Sequence, residues 1–377
     1  MAVNNSTFVE CSHDVFLNLS DIKVAQTYLL TPTEELFFTW ILPTVLITCL
    51  LGNSAFIFIF ISVKSMRTVT NNYLFHVAIS DILFVTLAVA AILYSSNRSP
   101  VRNDVAYRSF VGCMLVYHIA MTTYFVSLIL ITSVTIERYY AICKPLKHRI
   151  VAGKLRTNKI IVASWLLGIF FGAWVAPRYA GFLPQCVQWP DSEEFQHLPT
   201  TIYYCVVVHP DIYIFSEITQ TAPLFLAMFV NIYMYSSIIK ALSQRLISSK
   251  RIDDVTNVAQ QQQSQRVRNQ VARLLIINGT LFFLCQTPYR ITSMHNMMVH
   301  LGGAGIFTTE QYGAMLVIGR CLILINSCAN PFIYVTTSSF YREAFLKAFE
   351  CHLNCTNSEH SRTSTVSGKI QAVYVKP

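Results

Sequence analysis

Three polar features interrupt an otherwise oily chain, and each has the chemistry of a device. Glu137-Arg138-Tyr139 closes one long apolar run, Asn330-Pro331-Phe332-Ile333-Tyr334 closes another, and a single carboxylate, Asp81, ends Asn72-Tyr73-Leu74-Phe75-His76-Val77-Ala78-Ile79-Ser80-Asp81 inside a third. Ionisable groups in hydrocarbon are costly and mark functional positions by default. Asn53, Ser127, Asn326, Ser327 and Asn330 lie in other apolar runs. One carboxylate among hydroxyls and amides suits a hard monovalent cation with water, since hard ions prefer oxygen. The competing reading is a protonated Asp81 in a structural hydrogen-bond network. Glu137-Arg138 reads either as a helix-end charge pair or as a latch, with Glu137 holding Arg138 until the helices part and Arg138 meets a partner protein. Enzyme chemistry has no footing: the chain contains no His-Glu-x-x-His, no Gly-x-Ser-x-Gly and no clustered metal ligands. His295 and His300 are five apart, a poor spacing for one helix face.

The elements that must position these groups are membrane helices. The 377 residues are 53% hydrophobic and 12% charged, with mean hydropathy +0.46, whereas soluble domains carry about 25% charged residues. Apolar segments run at 38–63, 71–95, 110–143, 158–177, 211–242, 266–299 and 307–335. Each holds the roughly 20 apolar residues needed to cross about 30 Å of hydrocarbon. The expected fold is therefore an all-α membrane protein, a bundle of seven transmembrane helices. The third, fifth and sixth segments are long enough to project into water. Pro43, Pro177, Pro223, Pro288 and Pro331 mark expected kinks. Only Asp81, Arg290 and Arg320 read as deep charges, and no internal repeat is visible, which weighs against a transporter or channel.

Lysine and arginine set the orientation. They concentrate between the first and second segments (Lys64, Arg67), after the third (Lys144, Lys147, Arg149, Lys154, Arg156, Lys159) and after the fifth (Arg245, Lys250, Arg251, Arg266, Arg268). On the other side, Arg98, Arg102, Arg108 and Arg178 are offset by Asp191, Glu193, Glu194 and Asp211. The N-terminus is expected outside and the C-terminus in the cytoplasm, so the net charge of +9 is a topology signal and nucleic acid is not an expected partner. Sequons at Asn4, Asn5 and Asn18 agree with an outer N-terminus at residues 1–37. No apolar core precedes Asn4, so the first helix is expected to act as signal anchor. Four of the eleven cysteines, Cys11, Cys113, Cys186 and Cys205, face the oxidising side. A Cys113–Cys205 bond would pin the second outer loop over the bundle's mouth. Cys186 is the competing partner, and Cys11–Cys186 is a possible second bridge.

Beyond the bundle (38–335), residues 336–350 carry Phe340, Ala344, Phe345 and Ala348 at helical spacing, with Arg342, Glu343 and Lys347 elsewhere. That pattern predicts an amphipathic interfacial helix against membrane lipid. Cys351 and Cys355 follow as palmitoylation candidates. The polar tail 351–377 reads as disordered; Thr363, Ser364, Thr365 and Ser367 are candidate phosphorylation sites for a receptor kinase, and then for arrestin. Gln260–Gln263 reads as a flexible spacer.

With these residues in order, residues 38–350 resemble a rhodopsin-like (class A) G-protein-coupled receptor. The motifs are Gly52-Asn53, Ser80-Asp81, Cys113, Glu137-Arg138-Tyr139, Trp165, Pro223, Phe282 with Cys285 and Pro288, and Asn330 to Tyr334. The resemblance implies an outer ligand pocket, an inner cleft for a heterotrimeric G protein and a sodium ion as allosteric ligand at Asp81, Ser127, Asn326 and Ser327; no other cofactor is implied. Ala120 stands where aminergic receptors need an Asp, and Leu324 where opsins need a Lys. The chain looks most like peptide receptors, in particular those for thyrotropin-releasing hormone, through Pro288-Tyr289-Arg290 and an Arg320 eleven residues before Pro331. Tyr289, Arg290 and Arg320, with Ala120, Met121 and Tyr124 on the third helix, become the pocket candidates. Arginines and a phenol suit carbonyl-rich, amidated or acidic peptides; the alternative is that Arg290 and Arg320 pair with outer-loop acids as gates. Met121 and Phe125 are apolar where those relatives place polar contacts. Gln286 replaces an aromatic residue common in the family, and a hydrogen bond to Asn326 is expected for it. Asn231 stands where a Tyr is common. The activation set is then Glu137, Arg138, Tyr139, Pro145, Leu146, Phe282, Gln286, Asn330, Pro331 and Tyr334, with Cys143 and Arg273 in the cleft and Leu146 as an apolar knob. Coupling to Gq and calcium release is implied. A lipid or other small-molecule ligand is the runner-up.

Overall fold

The fold, taken from a computed structural model, is described for residues 16–107, 109–151, 153–207, 209–249 and 258–348. Seven helices in it are long and apolar enough to cross a membrane: α1 (Pro32–Ser62), α2 (Val69–Arg98), α3 (Phe110–Cys143), α4 (Lys154–Val175), α5 (Pro210–Ser249), α6 (Val258–His300) and α7 (Thr309–Thr337). A further helix, α8, covers 339–348. The seven-helix expectation holds, while α1 and α6 begin earlier than hydropathy suggests. For α1 the cause is a capping box. Thr31 accepts from the amide of Glu34, the Glu34 carboxylate accepts the Thr31 amide at 2.8 Å, and Pro32 opens the first turn. Ser109 caps α3, and Thr308 with Gln311 makes a second capping box on α7.

Pro223, Pro288 and Pro331 sit inside helices, as expected of kink positions. Pro43 instead follows a π-turn at Phe37–Ile41, and Pro177 lies in a 3₁₀ turn at Ala176–Tyr179 that ends α4.

Helix α3 is the axis of the bundle. Its buried face, with Phe125, Val126, Leu130, Ile131 and Val134, joins Phe56 of α1, Val77 of α2, Leu224 of α5 and Phe282 of α6 in one core. Packing against α4 is backbone-close: a Cβ on Gly172 would meet the His118 carbonyl at 2.9 Å and the Thr122 amide at 3.0 Å, so only glycine fits there.

The connection between α4 and α5 forms a hairpin, β2 (Gly181–Gln188) against β3 (Thr201–Val206), with Phe182 opposite Cys205 and Cys186 opposite Thr201. A third strand was not expected. Residues Phe16–Asn18 (β1) add to β2 in parallel, making a three-stranded sheet with β2 at its centre. Leu19, Ala25, Val101, Val187, Phe195 and Ile202 form a small core of their own beside it. The chain then returns to the bundle through an ion pair of Arg102 with Glu34 at 2.7 Å. Asn18 lies on the exposed edge of this sheet. Asn4, Asn5, Cys11, Cys351, Cys355 and the tail serines and threonines lie outside the described residues.

Candidate functional site

A disulfide between Cys113, in the first turn of α3, and Cys205 of β3 ties the hairpin to the bundle. Cys186 is disulfide-bonded as well, and its expected partner, Cys11, lies outside the described residues. Below the Cys113–Cys205 bond opens a cavity of about 330 Å³. All six pocket candidates, Tyr289, Arg290, Arg320, Ala120, Met121 and Tyr124, line it. The same cavity continues past Gln286 and Phe282 to Asp81, Ser127, Asn326 and Ser327. Residues far apart in sequence are thus walls of one space.

The two arginines differ. Arg290 is 1% exposed and donates to Oε1 of Gln220 at 2.7 Å. Its guanidinium lies 4.4 Å from the ring centre of Tyr124 and 5.4 Å from that of Tyr289, a cation–π arrangement. Gln220 also donates to the hydroxyls of Tyr117 at 2.7 Å and Ser216 at 2.8 Å, and its carbonyl accepts from Tyr124 at 2.9 Å. Arg320 is exposed and makes no hydrogen bond or ion pair among the described residues. Neither arginine pairs with an outer-loop acid among the described residues, so the gate alternative finds no partner there.

The ion pair at this level is another one. Arg178 meets the carboxylate of Glu217, both buried, and the rings of Tyr213, Tyr179 and Tyr117 surround the guanidinium at 4.3, 5.2 and 6.0 Å. This corrects the reading that only Asp81, Arg290 and Arg320 are deep charges, because Glu217 is 2% exposed on α5. The signal was present: Glu217 and Gln220 stand three apart in an apolar run, on one helix face.

At the deep end, Nδ2 of Asn330 donates to Asp81 at 2.6 Å. Ser127 donates to Ser80 at 3.1 Å, and Ser80 to the Thr123 carbonyl at 3.0 Å. Asn53 donates to the Ser327 carbonyl at 3.0 Å. The expected bond between Gln286 and Asn326 is not made. Oε1 of Gln286 and Oδ1 of Asn326 are buried and have no partner. An all-oxygen donor set with an orphaned amide oxygen fits a hard monovalent cation.

From Asp81 the polar chain reaches the opposite end through α7. Tyr334 packs against Phe56 with ring centres 4.9 Å apart and against Tyr341 of α8 at 5.5 Å, and the Tyr341 hydroxyl donates to Asn71 at 2.5 Å. Hydroxyls of Ser338 and Ser339 donate to Gln270 of α6 at 3.3 and 3.2 Å. Glu137 is buried, its carboxylate 3.5 Å from Nδ1 of His148, and Arg138 is half-buried. Pro145 and Leu146 open a short helix, Pro145–Val151, where Leu146 is 77% exposed; Arg273 is exposed too. On α5, Asn231 donates to Thr132 at 3.1 Å, while Tyr233 faces outward. The inward tyrosine is Tyr235, bonded to Thr135 at 3.1 Å and seated against Gly279 of α6.

Two ends, joined through the helices, are the plan of a signal transducer, and comparison with known proteins agrees. Residues 52–334, well over half of the chain, match the family model for the 7 transmembrane receptor (rhodopsin family). The chain is similar to human neuromedin-U receptor 1, 25% identical over 375 residues that cover 93% of this chain and 84% of that one. It is 27% identical to the chicken (Gallus gallus) thyrotropin-releasing hormone receptor over 342 residues, 82% of this chain and 78% of the relative. It is 25% identical to the [Phe13]-bombesin receptor of Bombina orientalis over 328 residues, 85% and 78% of the two chains. With seven spanning helices and this match, the chain belongs to the rhodopsin family of seven-transmembrane receptors.

Proposed function

We propose that this protein is a plasma-membrane receptor for an extracellular peptide, with its N-terminus and the Cys113–Cys205 end outside. The observation that carries the reading is Arg320: an exposed guanidinium, unpaired among the described residues, on the wall of a cavity it shares with Tyr289 and Tyr124. A guanidinium there supplies charge-assisted, bidentate hydrogen bonds to a carboxamide or carboxylate. The three similar receptors named above support a peptide ligand.

Peptide binding favours an arrangement in which α6 moves away from α3 and α7 and Arg138 meets a G protein, a shift of population driven by differential affinity. Leu146, Pro145 and Tyr139 would line that contact, with Gq as the coupled protein and calcium release as the output. Asp81, Ser127, Asn326 and Ser327 would hold a sodium ion, which supplies a balancing charge for the carboxylate. Glycans at Asn4, Asn5 and Asn18, palmitate at Cys351 and Cys355, and arrestin on a phosphorylated tail complete the reading.

The test is calcium mobilisation in cells expressing the chain, challenged with a library of amidated neuropeptides. A response that Arg320→Ala abolishes while surface expression survives supports the assignment. Unchanged potency in Arg320→Ala would remove Arg320 from the site. Silence across the library, together with a response to lipids or other small molecules, would replace the peptide reading.

A further inference from the structure

A second charged arrangement stands behind one wall of the cavity, apart from the polar centre at Asp81. Arg178 lies in the 3₁₀ turn that ends α4, at the disulfide end of the bundle, and is 7% exposed. Its carboxylate partner, Glu217 of α5, is 2% exposed. Three rings surround the guanidinium, Tyr213 at 4.3 Å, Tyr179 at 5.2 Å and Tyr117 at 6.0 Å. Tyr117 and Tyr179 meet edge to face at 4.5 Å and also line the cavity, so the aromatic cage and the cavity share two walls.

The cage is held without help from its occupant. The Tyr117 hydroxyl accepts from Gln220 at 2.7 Å, and Tyr213 and Glu217, four residues apart, share a face of α5. Aromatic faces around a carboxylate suit a cation. A buried ion pair is a weak stabiliser, because desolvation offsets the attraction, so stability alone does not account for this one. The resident fit is also incomplete. Arg178 meets Glu217 through one nitrogen, Nη1, on one oxygen, Oε1. Oε2 of Glu217 and Nε of Arg178 are buried and have no hydrogen-bond partner. A guanidinium free to orient makes two parallel bonds to a carboxylate; the one fixed to the α4 turn makes a single bond here.

We propose that Glu217 and the rings of Tyr117, Tyr179 and Tyr213 form a binding subsite for a guanidinium group of the ligand, and that Arg178 is a resident occupant which that group displaces. Exchange of one cation for another leaves the number of buried charges unchanged, so the carboxylate is never left uncompensated. The turn that carries Arg178 lies at the end of the bundle and leads into β2, so the displaced side chain has water within its reach. The incoming group gains the bond to Oε2 that Arg178 does not make. Glu217 is then a specificity-determining residue. A ligand that uses the whole mouth carries a guanidinium against Glu217 and a carbonyl or acidic group against Arg320. That last statement rests on the receptor reading above; the subsite itself rests on the cage alone.

The probe is N-acetylarginine amide, added to the purified full chain in detergent, and the readout is the thermal unfolding midpoint. The probe is expected to raise the midpoint saturably, and its neutral isostere N-acetylcitrulline amide is expected to do nothing. Arg178→Ala removes the competing occupant and should lower the half-saturating concentration about tenfold, the scale of a hydrogen bond to a charged group, a gain that misfolding does not produce. Arg178→Ala combined with Glu217→Gln removes both charges, leaves neither unpaired and should not respond. Should Arg178→Ala unfold on its own, recovery of folded chain when the probe is present throughout purification supports the subsite, and failure to recover counts against it. No saturable shift in the wild type or in Arg178→Ala, an equal response to the citrulline compound, or a double variant that responds like Arg178→Ala overturns it. Neither G protein nor library peptide is present, so a silent calcium assay beside a positive titration sinks the peptide reading alone, and the reverse pair of results sinks the subsite alone.

Discussion

Replacing Gly279 by alanine tests how α5 and α6 are held together. A Cβ at Gly279 would stand 2.9 Å from Cζ of Tyr235 and inside the shell of its hydroxyl oxygen. Carbon atoms rest about 3.5–4.0 Å apart, so the ring must withdraw by roughly 1 Å. Tyr235 is 7% exposed, and its hydroxyl is bonded to Thr135 of α3 at 3.1 Å. Withdrawal therefore strains a packed ring, at about 1–3 kcal/mol, and stretches a hydrogen bond worth about 1 kcal/mol net. Better helix propensity returns up to about 1 kcal/mol. The balance is a loss of about 1–3 kcal/mol from the arrangement described here. Thermal unfolding of the purified receptor should show Gly279→Ala several degrees below wild type, and Tyr235→Leu combined with Gly279→Ala should recover part of the difference. Equal stability of Gly279→Ala and wild type would refute the contact, as would a double variant no better than the single one.

Two further outcomes concern the ends of the bundle. Gln270→Ala removes the acceptor that holds Ser338 and Ser339, so nucleotide exchange on a G-protein panel without agonist should rise about two- to tenfold, the scale of one or two hydrogen bonds; no rise means that this clasp does not restrain α6. Burial, with smaller effects from Tyr28 and Asp104, pushes the Tyr204 phenol up to about 12. The native state thus holds this proton more tightly than the unfolded chain, whose phenol titrates near 10. Its contribution is fully present below about pH 10 and is lost as pH rises through about 12. The difference in phenolate absorbance between wild type and Tyr204→Phe should titrate near 12; a difference that titrates near 10 would contradict the burial.

Legibility followed the range of each interaction. Hydropathy located seven spans, because crossing hydrocarbon constrains some twenty consecutive residues at once. Tyr289, Arg290 and Arg320 came from the resemblance to peptide receptors and Asn326 from being polar within an apolar run, and all four line the cavity. The early start of α1 was readable in Thr31-Pro32-Thr33-Glu34, a capping sequence that lies outside the apolar run. What escaped depends on pairs distant in sequence. Nothing in Phe16–Asn18 announces a strand, since its partner is β2 and its burial comes from the core around Leu19, Val187 and Ile202. Tyr235 gained its place from a glycine forty-four residues away. Arg178 reads as a loop charge until Glu217 and three tyrosines are found around it.

The three-stranded sheet has a kinetic consequence. Its central strand is held on both sides, its edge strand β3 is tied to α3 by Cys113–Cys205, and beside it sits a hydrophobic core separate from the bundle's. A cover built this way opens as a cooperative unit rather than one residue at a time. Where it gates the cavity, exchange of ligand is timed by that opening. Ligands of different potency would then leave at similar rates, and residence time would report on the cover more than on the pocket.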